Sequence, residues 1–342
     1  MLKKLVLSIL ISGVSVGPLM ASFSNPQSSQ PTAAAQSSPA PLTLDEVVRL
    51  IKQSKKDPHQ VVSTLAERGV GFELDEKTGK KLQKAGADDG LLYEIWKVTP
   101  NGRAHIQALL TSPTGAELQT SHSEALSFHS IQDQAEPDGR LRMVDEFEKK
   151  FPASQLLPYV YTVAAKAHQQ KGEFDQAVQY GRKSLKLNPD NPFSLVVVAL
   201  ALPEPAMLRG SPNEVKERLL EAQTDASRAL TLLDKLSRQA TETDDQFQER
   251  KGSVASDAHL ALGMVEMQRE DFEKALAEYK AAISSTTKPT FQNYYRLAEA
   301  YASIGQVPQA IETLQKASEL ARGTPLQKYA DDFISELQRK SH

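Results

Sequence analysis

Apolar residues return every three to four positions over most of this chain, which is the spacing of helices that each bury one face. The first such stretch is Leu42–Val98. Thr43 can cap a helix whose apolar face is Val47, Val48 and Ile51. Pro58 suits a first helical residue ahead of Val61, Val62 and Leu65, and Gly69 stops that helix. After the crossing "VGFELDE", Leu82 and Ala85 mark a third helix, and Asp88 starts a fourth with Leu91, Leu92, Ile95 and Trp96. Four short helices, paired as two hairpins, are predicted. Trp96, the single tryptophan, is expected to anchor their core.

From residue 117 onward the pattern recurs. In "GEFDQAVQYGRKSLKLNPDN" (residues 172–191), Gly172 is a turn, Phe174, Ala177, Leu185 and Leu187 are apolar, and Pro189 ends the helix. Tyr161, Ala164, Ala165 and His168 mark one face of a helix before it. An Ala followed seven residues on by a second small residue appears at Ala177/Ser184, Ala222/Ala229, Ala275/Ala282 and Ala310/Ala317, with a degenerate copy at Met143. Met143 to Ala177 is 34 residues and Ala275 to Ala310 is 35, whereas the intervening steps are 45 and 53. The surplus is expected in loops, at "LPEPAMLRGSP" and in the region of "RQATETDDQFQERKG". A last helix with Leu326, Tyr329, Phe333, Ile334 and Leu337 on one face would close the exposed end.

This pattern resembles the tetratricopeptide repeat: a large residue, a small pair, a large residue, then Gly, an aromatic, Ala and a helix-ending Pro. The expected fold is all-α. It is a tetratricopeptide-like helical-hairpin solenoid of about four to five irregular repeats, with a C-terminal capping helix and a small helical module in front. The resemblance implies that the first helices line a concave face, where outward residues meet a peptide or partner helix. Carried over, it gives Tyr159, Thr162, Lys166 and Gln169 in one repeat, Leu260, Met264 and Met267 in another, and Tyr295, Glu299 and Ala302 in the last. Tyr295 and Met264 are expected to be solvent-accessible on one surface. The Lys and Asn constellation that clamps a peptide carboxylate in some relatives is not reproduced.

Composition adds a frame. The formal charge of −3 points to neither nucleic acid nor an anionic membrane as partner. The absence of cysteine excludes disulfides, Cys-ligated zinc and a cysteine nucleophile. Met1–Lys4 is positive, and the apolar run Leu5–Met20 is broken by Gly13, Gly17 and Pro18 and is followed by small Ala21. That run is short of the ~20 residues a spanning helix needs. Residues 1–21 therefore read as an export signal, with no integral membrane span left in the mature chain. Residues 22–41, rich in Ser, Pro, Gln and Ala, are expected to be disordered, since they offer almost nothing apolar to bury. The remaining boundaries are a module at 42–98, a linker at 99–116 and the repeats at 117–340.

Chemistry-bearing motifs are missing: there is no phosphate loop, H-E-x-x-H or G-x-S-x-G. His122 and His129 are seven apart and could share a helix face, but no third ligand accompanies them, and the acids of "TETDDQFQER" lack the order of a calcium loop. His168 and His259 fall at packing positions. The expectation is therefore no catalytic, cofactor or metal site. The leading function is a non-enzymatic protein–protein adaptor in the bacterial cell envelope, periplasmic or secreted, with a protein or peptide partner. The rivals are an accessory subunit of an envelope machine for secretion, outer-membrane or wall assembly, and a hydrolase or metal-binding protein.

Overall fold

The computed structural model describes residues 40–54, 58–108, 118–239 and 242–340. The expected export signal, and residues 22–39 of the expected linker, lie outside the described residues. Those described form sixteen α-helices and two short 3-10 helices, with no named strand among them. They divide between Gln107 and Ala108 into two compact units.

The first unit contains α1 (Leu44–Gln53), α2 (Val62–Arg68), α3 (Glu76–Ala85), α4 (Asp89–Lys97) and α5 (Pro100–Ala108). Side chains start the helices. The Thr43 hydroxyl accepts from the Glu46 N–H at 3.3 Å while Glu46 Oε2 accepts from the Thr43 N–H at 2.7 Å, and Asp75 and Asp88 cap α3 and α4. The expected sequential hairpins are not what forms: α1 packs on α3 and α2 on α4. The cause is a backbone junction. Leu42 N–H donates to Gly69 O at 2.9 Å, Gly71 N–H to Leu42 O at 2.9 Å and Val70 N–H to Val98 O at 3.1 Å. The start, middle and end of the unit are thereby drawn together, so alternate helices meet. Nor is Trp96 the anchor. It is half-buried and stacks on exposed Tyr93, centroids 5.7 Å apart, while Leu65, Leu82, Leu91 and Ile95 fill the core. The expected 99–116 linker begins as α5, whose first turn is tied by the Gly102 N–H donating to Thr99 Oγ1 at 3.0 Å; residues 109–117 lie outside the described residues.

The second unit contains α6 (His122–Asp133), α7 (Pro137–Lys150), α8 (Leu157–Gln170), α9 (Phe174–Leu187), α10 (Pro192–Ala201), α11 (Pro212–Leu232), α12 (Asp244–Gln268), α13 (Phe272–Ser284), α14 (Phe291–Ser303), α15 (Val307–Leu320) and α16 (Pro325–Lys340). Successive helices pair as antiparallel hairpins, and α16 packs on α15. Ala177, Ala222, Ala275 and Ala310, with the small residue seven on from each, are all 0% exposed. These are the points where helices approach most closely. A Cβ on Gly263 would lie 2.4 Å from the Tyr279 ring, and one on Gly181 would lie 2.4 Å from Val198 Cγ2. Hairpin turns repeat as well: Gly172 and Gly305 sit at matching points with φ +73° and +75°, and Glu270 holds that point in the hairpin between, at +62°. Met143 is half-buried; Val144 and Phe147 are the buried hydrophobic residues of α7, so the degenerate copy is out of register by one.

Neither irregular step is a plain loop. In the first, Leu202 and Glu204 are 1% and 2% exposed, so the insert is built into the fold. In the second, the expected loop is largely helix. Thr243 and Gln246 form a capping box, Asp244 and Asp245 favour the N-terminal turn, and Glu242 pairs with Arg250 at 2.8 Å, so α12 gains extra turns at its start.

Candidate partner-binding surface

The side chains expected to line the concave face come from α8, α12 and α14. On α8, Tyr159 is half-buried and its hydroxyl accepts from Asn188 Nδ2 at 3.4 Å. Thr162 and Gln169 are buried, so the expectation that they face a partner is corrected. Thr162 belongs to an internal polar knot: its hydroxyl meets Ser194 at 2.6 Å and accepts from Asn191 Nδ2 at 3.0 Å, and Ser194 meets Ser184 at 2.7 Å. Buried polar groups so satisfied hold three helices in register. Lys166 reaches solvent, with Nζ 5.7 Å from the Phe193 ring centre. Burial pushes Asp257 up to about 6 against the pull of Lys166.

On α12 the correction is larger. Leu260 and Met264 are 2% and 3% exposed and Met267 is half-buried. They share a core with Leu195, Val196, Ala199 and Leu200 of α10 and with Leu297 and Ala300 of α14. The reason is α10, in which nine of ten residues are buried. A helix apolar all round has no face to offer water. The signal was available: adding 34 to Tyr159, Thr162, Lys166 and Gln169 gives Phe193, Val196, Leu200 and Pro203, a concave row without a charge.

On α14 all three positions are half-buried, and Tyr295 and Ala302 pack at the edge of the core formed by Ala298, Ala310, Leu314 and Ala330. Tyr295 is half-buried, contrary to the expectation that it points clear of the packing, because it stacks on Phe291 at 5.3 Å and lies against Phe333 at 5.9 Å. Burial, helped by Glu299, pushes its hydroxyl up to about 12. Ala302 is half-buried. Glu299 pairs with Arg296 at 3.0 Å, and the same guanidinium pairs at 3.2 Å with Glu204 from the insert after α10. Burial opposes the Arg296 charge, but Glu299 and Glu204 outweigh it and raise the pKa.

The same 34-residue step from Tyr295, Glu299 and Ala302 reaches Tyr329, Phe333 and Glu336 on α16. Beyond its expected role as a cap, α16 therefore carries a row in step with α14, all of it half-buried. Lys328, Asp331, Asp332 and Ser335 of α16 are exposed, as the outer residues of a cap should be.

The three histidines whose side chains are described pair with carboxylates: His168 with Glu173 and His259 with Glu278, both at 2.7 Å, and His129 with Asp133 at 3.2 Å. The His122 side chain lies outside the described residues. Among the described residues no three His, Asp or Glu side chains gather as metal ligands, and no helix is long and apolar enough to cross a membrane.

The family described as tetratricopeptide repeat matches residues 158–191, and again 218–290 and 260–325. Among solved structures, a thermophilic TPR protein of Thermus thermophilus is 19% identical, with a TM-score of 0.46 over 61% of this chain and 97% of its own. PilW, a widely conserved type IV pilus biogenesis factor, is 13% identical, with a TM-score of 0.43 over 65% of this chain and 93% of its own. Yeast Tom70 is 14% identical, with a TM-score of 0.34 over 85% of this chain and 60% of its own. A search of curated proteins by sequence finds no match.

Proposed function

The chain being a tetratricopeptide-repeat protein, we propose that it is a non-enzymatic adaptor, exported to the cell envelope, that holds another protein on the concave face of its last repeat and capping helix. Repeat arrays of this kind serve as scaffolds because each unit contacts its neighbours and leaves a continuous surface free. The observation that carries the proposal is the half-exposed row of Tyr295, Tyr329 and Phe333 on α14 and α16, where the row on α10 and α12 is sealed into the core. Aromatic side chains at a concave surface are the residue type that supplies binding energy at protein interfaces. Export rests on the sequence alone, on Met1–Lys4, the broken apolar run to Met20 and the small Ala21.

Two measurements test the two parts. In a crosslinking capture from the envelope fraction, Phe333→Ala should fold normally by circular dichroism and lose the partner that the unaltered chain retains. Retention of every partner by that variant removes the surface from consideration. N-terminal sequencing of the fractionated protein should begin near Ser22; Met1 found on protein in the cytosolic fraction removes the envelope from the proposal.

A further inference from the structure

We propose that the insert after α10 is a curvature lock: residues 202–211 tie the first helices of three successive repeats, α10, α12 and α14, into one block of fixed bend, so that the array flexes only outside it. Its action does not depend on where a partner docks. In a repeat array each unit touches only its neighbours, and the small rotation at each junction sets the curvature. A contact between units two apart fixes two junctions at once. Here Arg296 Nη2 of α14 donates to both carboxylate oxygens of Glu204, at 3.2 and 3.4 Å, and Gln268 Nε2 at the end of α12 donates to Pro203 O at 3.3 Å. The same three helices share one apolar core, with Leu200, Met264 and Leu297 in it.

The insert is built as a stiff strap. Pro203 and Pro205 fix φ on both sides of Glu204. The Glu204 N–H donates to Ala201 O at 3.2 Å, and the Met207 N–H donates to Glu204 O at 2.8 Å, so the backbone around the acid is a closed pair of turns. Leu202 and Met207 are buried at either end, and Arg218 of α11 donates to Met207 O at 2.6 Å. The strap is thereby anchored before and after the residue that reaches α14. The Glu204 side chain is 2% exposed and that of Arg296 is 18% exposed. A buried ion pair adds little net stability, because desolvation offsets the attraction, and it repays its cost only in a good geometry. Such a pair is better suited to fixing a bend than to holding a fold together.

The test uses the full chain, whose lack of cysteine allows clean paired spin labels. Ser227→Cys on α11 and Gln315→Cys on α15, both at exposed positions, report one side of the locked block against the other. Double electron–electron resonance should give a narrow distance distribution in the labelled chain. Adding Glu204→Gln should broaden and shift that distribution while the helical signal in circular dichroism stays the same. Glu299→Gln, which leaves the strap on Arg296, should keep the distribution narrow. A distribution that Glu204→Gln leaves unchanged overturns the lock and assigns the bend to the apolar core. Equal broadening in Glu299→Gln overturns it in favour of the charge balance around Arg296. A broad distribution before any variant is introduced, or loss of the helical signal in Glu204→Gln, overturns it as well, the first because no bend is fixed and the second because Glu204 then holds the fold itself.

Discussion

Two stretches of the expected partner-facing row behave in opposite ways. On α10 and α12 the outward positions Val196, Leu200, Leu260 and Met264 are sealed in the core, whereas on α14 and α16 Tyr295, Tyr329 and Phe333 stay half-open. Repeat register is the same in both, so register does not decide exposure. The neighbour does. Where the first helix of the preceding repeat is apolar all round, its partner's outward residues have something to bury against. Where the neighbour is the last helix, Tyr295 lies against Phe333 on one side only and stays partly open. In this protein the repeat pattern sets where side chains point, and composition sets whether a groove exists there.

The sharpest way to break that comparison is to truncate one residue from each region. Met264→Ala removes most of a side chain from a closed site and should cost about 2–5 kcal/mol in chemical denaturation. Tyr329→Ala, on the open side, should cost less than half as much. A Met264→Ala variant as stable as the parent would mean that the central row is open after all.

The insert after α10 offers a second, smaller effect. Glu204 reaches Arg296 across 92 residues, and Gln268 Nε2 donates to Pro203 O at 3.3 Å, so the insert ties one repeat to the next but one. Repeat arrays ordinarily lack such contacts. Glu204→Gln keeps the shape, removes the buried charge and leaves Arg296 with Glu299. Stability should fall by about 1–2 kcal/mol. Amide exchange should show α10 and α14 losing protection together, and exchange that rises in α10 alone would show that the insert is no brace.

Periodic features were legible in the sequence, and features set by distant neighbours were not. The alanines at 177, 222, 275 and 310 declare themselves because close helix crossings demand a small residue at a fixed spacing. The Tyr329–Phe333 row and the apolar α10 were equally legible, one 34-residue step from positions already assigned. The helical start of α12 was open to reading from Thr243 and Gln246, a capping pair that the run of acids obscured. By contrast, the α1–α3 and α2–α4 pairing depends on a backbone junction joining Leu42 to Gly69 and Val70 to Val98, which no local pattern announces. The Glu204–Arg296 pair is of the same kind.

The smallest expected effect sets an acid of the closed region against one of the open region. Burial pushes Asp257 on α12 up to about 6, with Lys166 offsetting part, whereas a hydrogen bond from Lys340 holds Glu336 on α16 below the usual carboxylate range. The signs are therefore opposite. A raised folded-state pKa means that the folded protein favours the neutral acid. For Asp257 that contribution is whole below its unfolded value near 3.8 and is lost as pH climbs through about 6. Asp257→Asn imitates the neutral form at every pH. Since Asp257 is only half-buried, the gain is smaller than the full shift implies, about 1 kcal/mol at pH 7, and it should vanish below pH 4. Glu336→Gln should show no such gain at pH 7, because its ionised form is the favoured one. Parallel urea titrations of both variants at pH 3.5 and pH 7 check the contrast, and an Asp257→Asn variant less stable than the parent at pH 7 would show that the attraction of Lys166 outweighs the burial of the closed row.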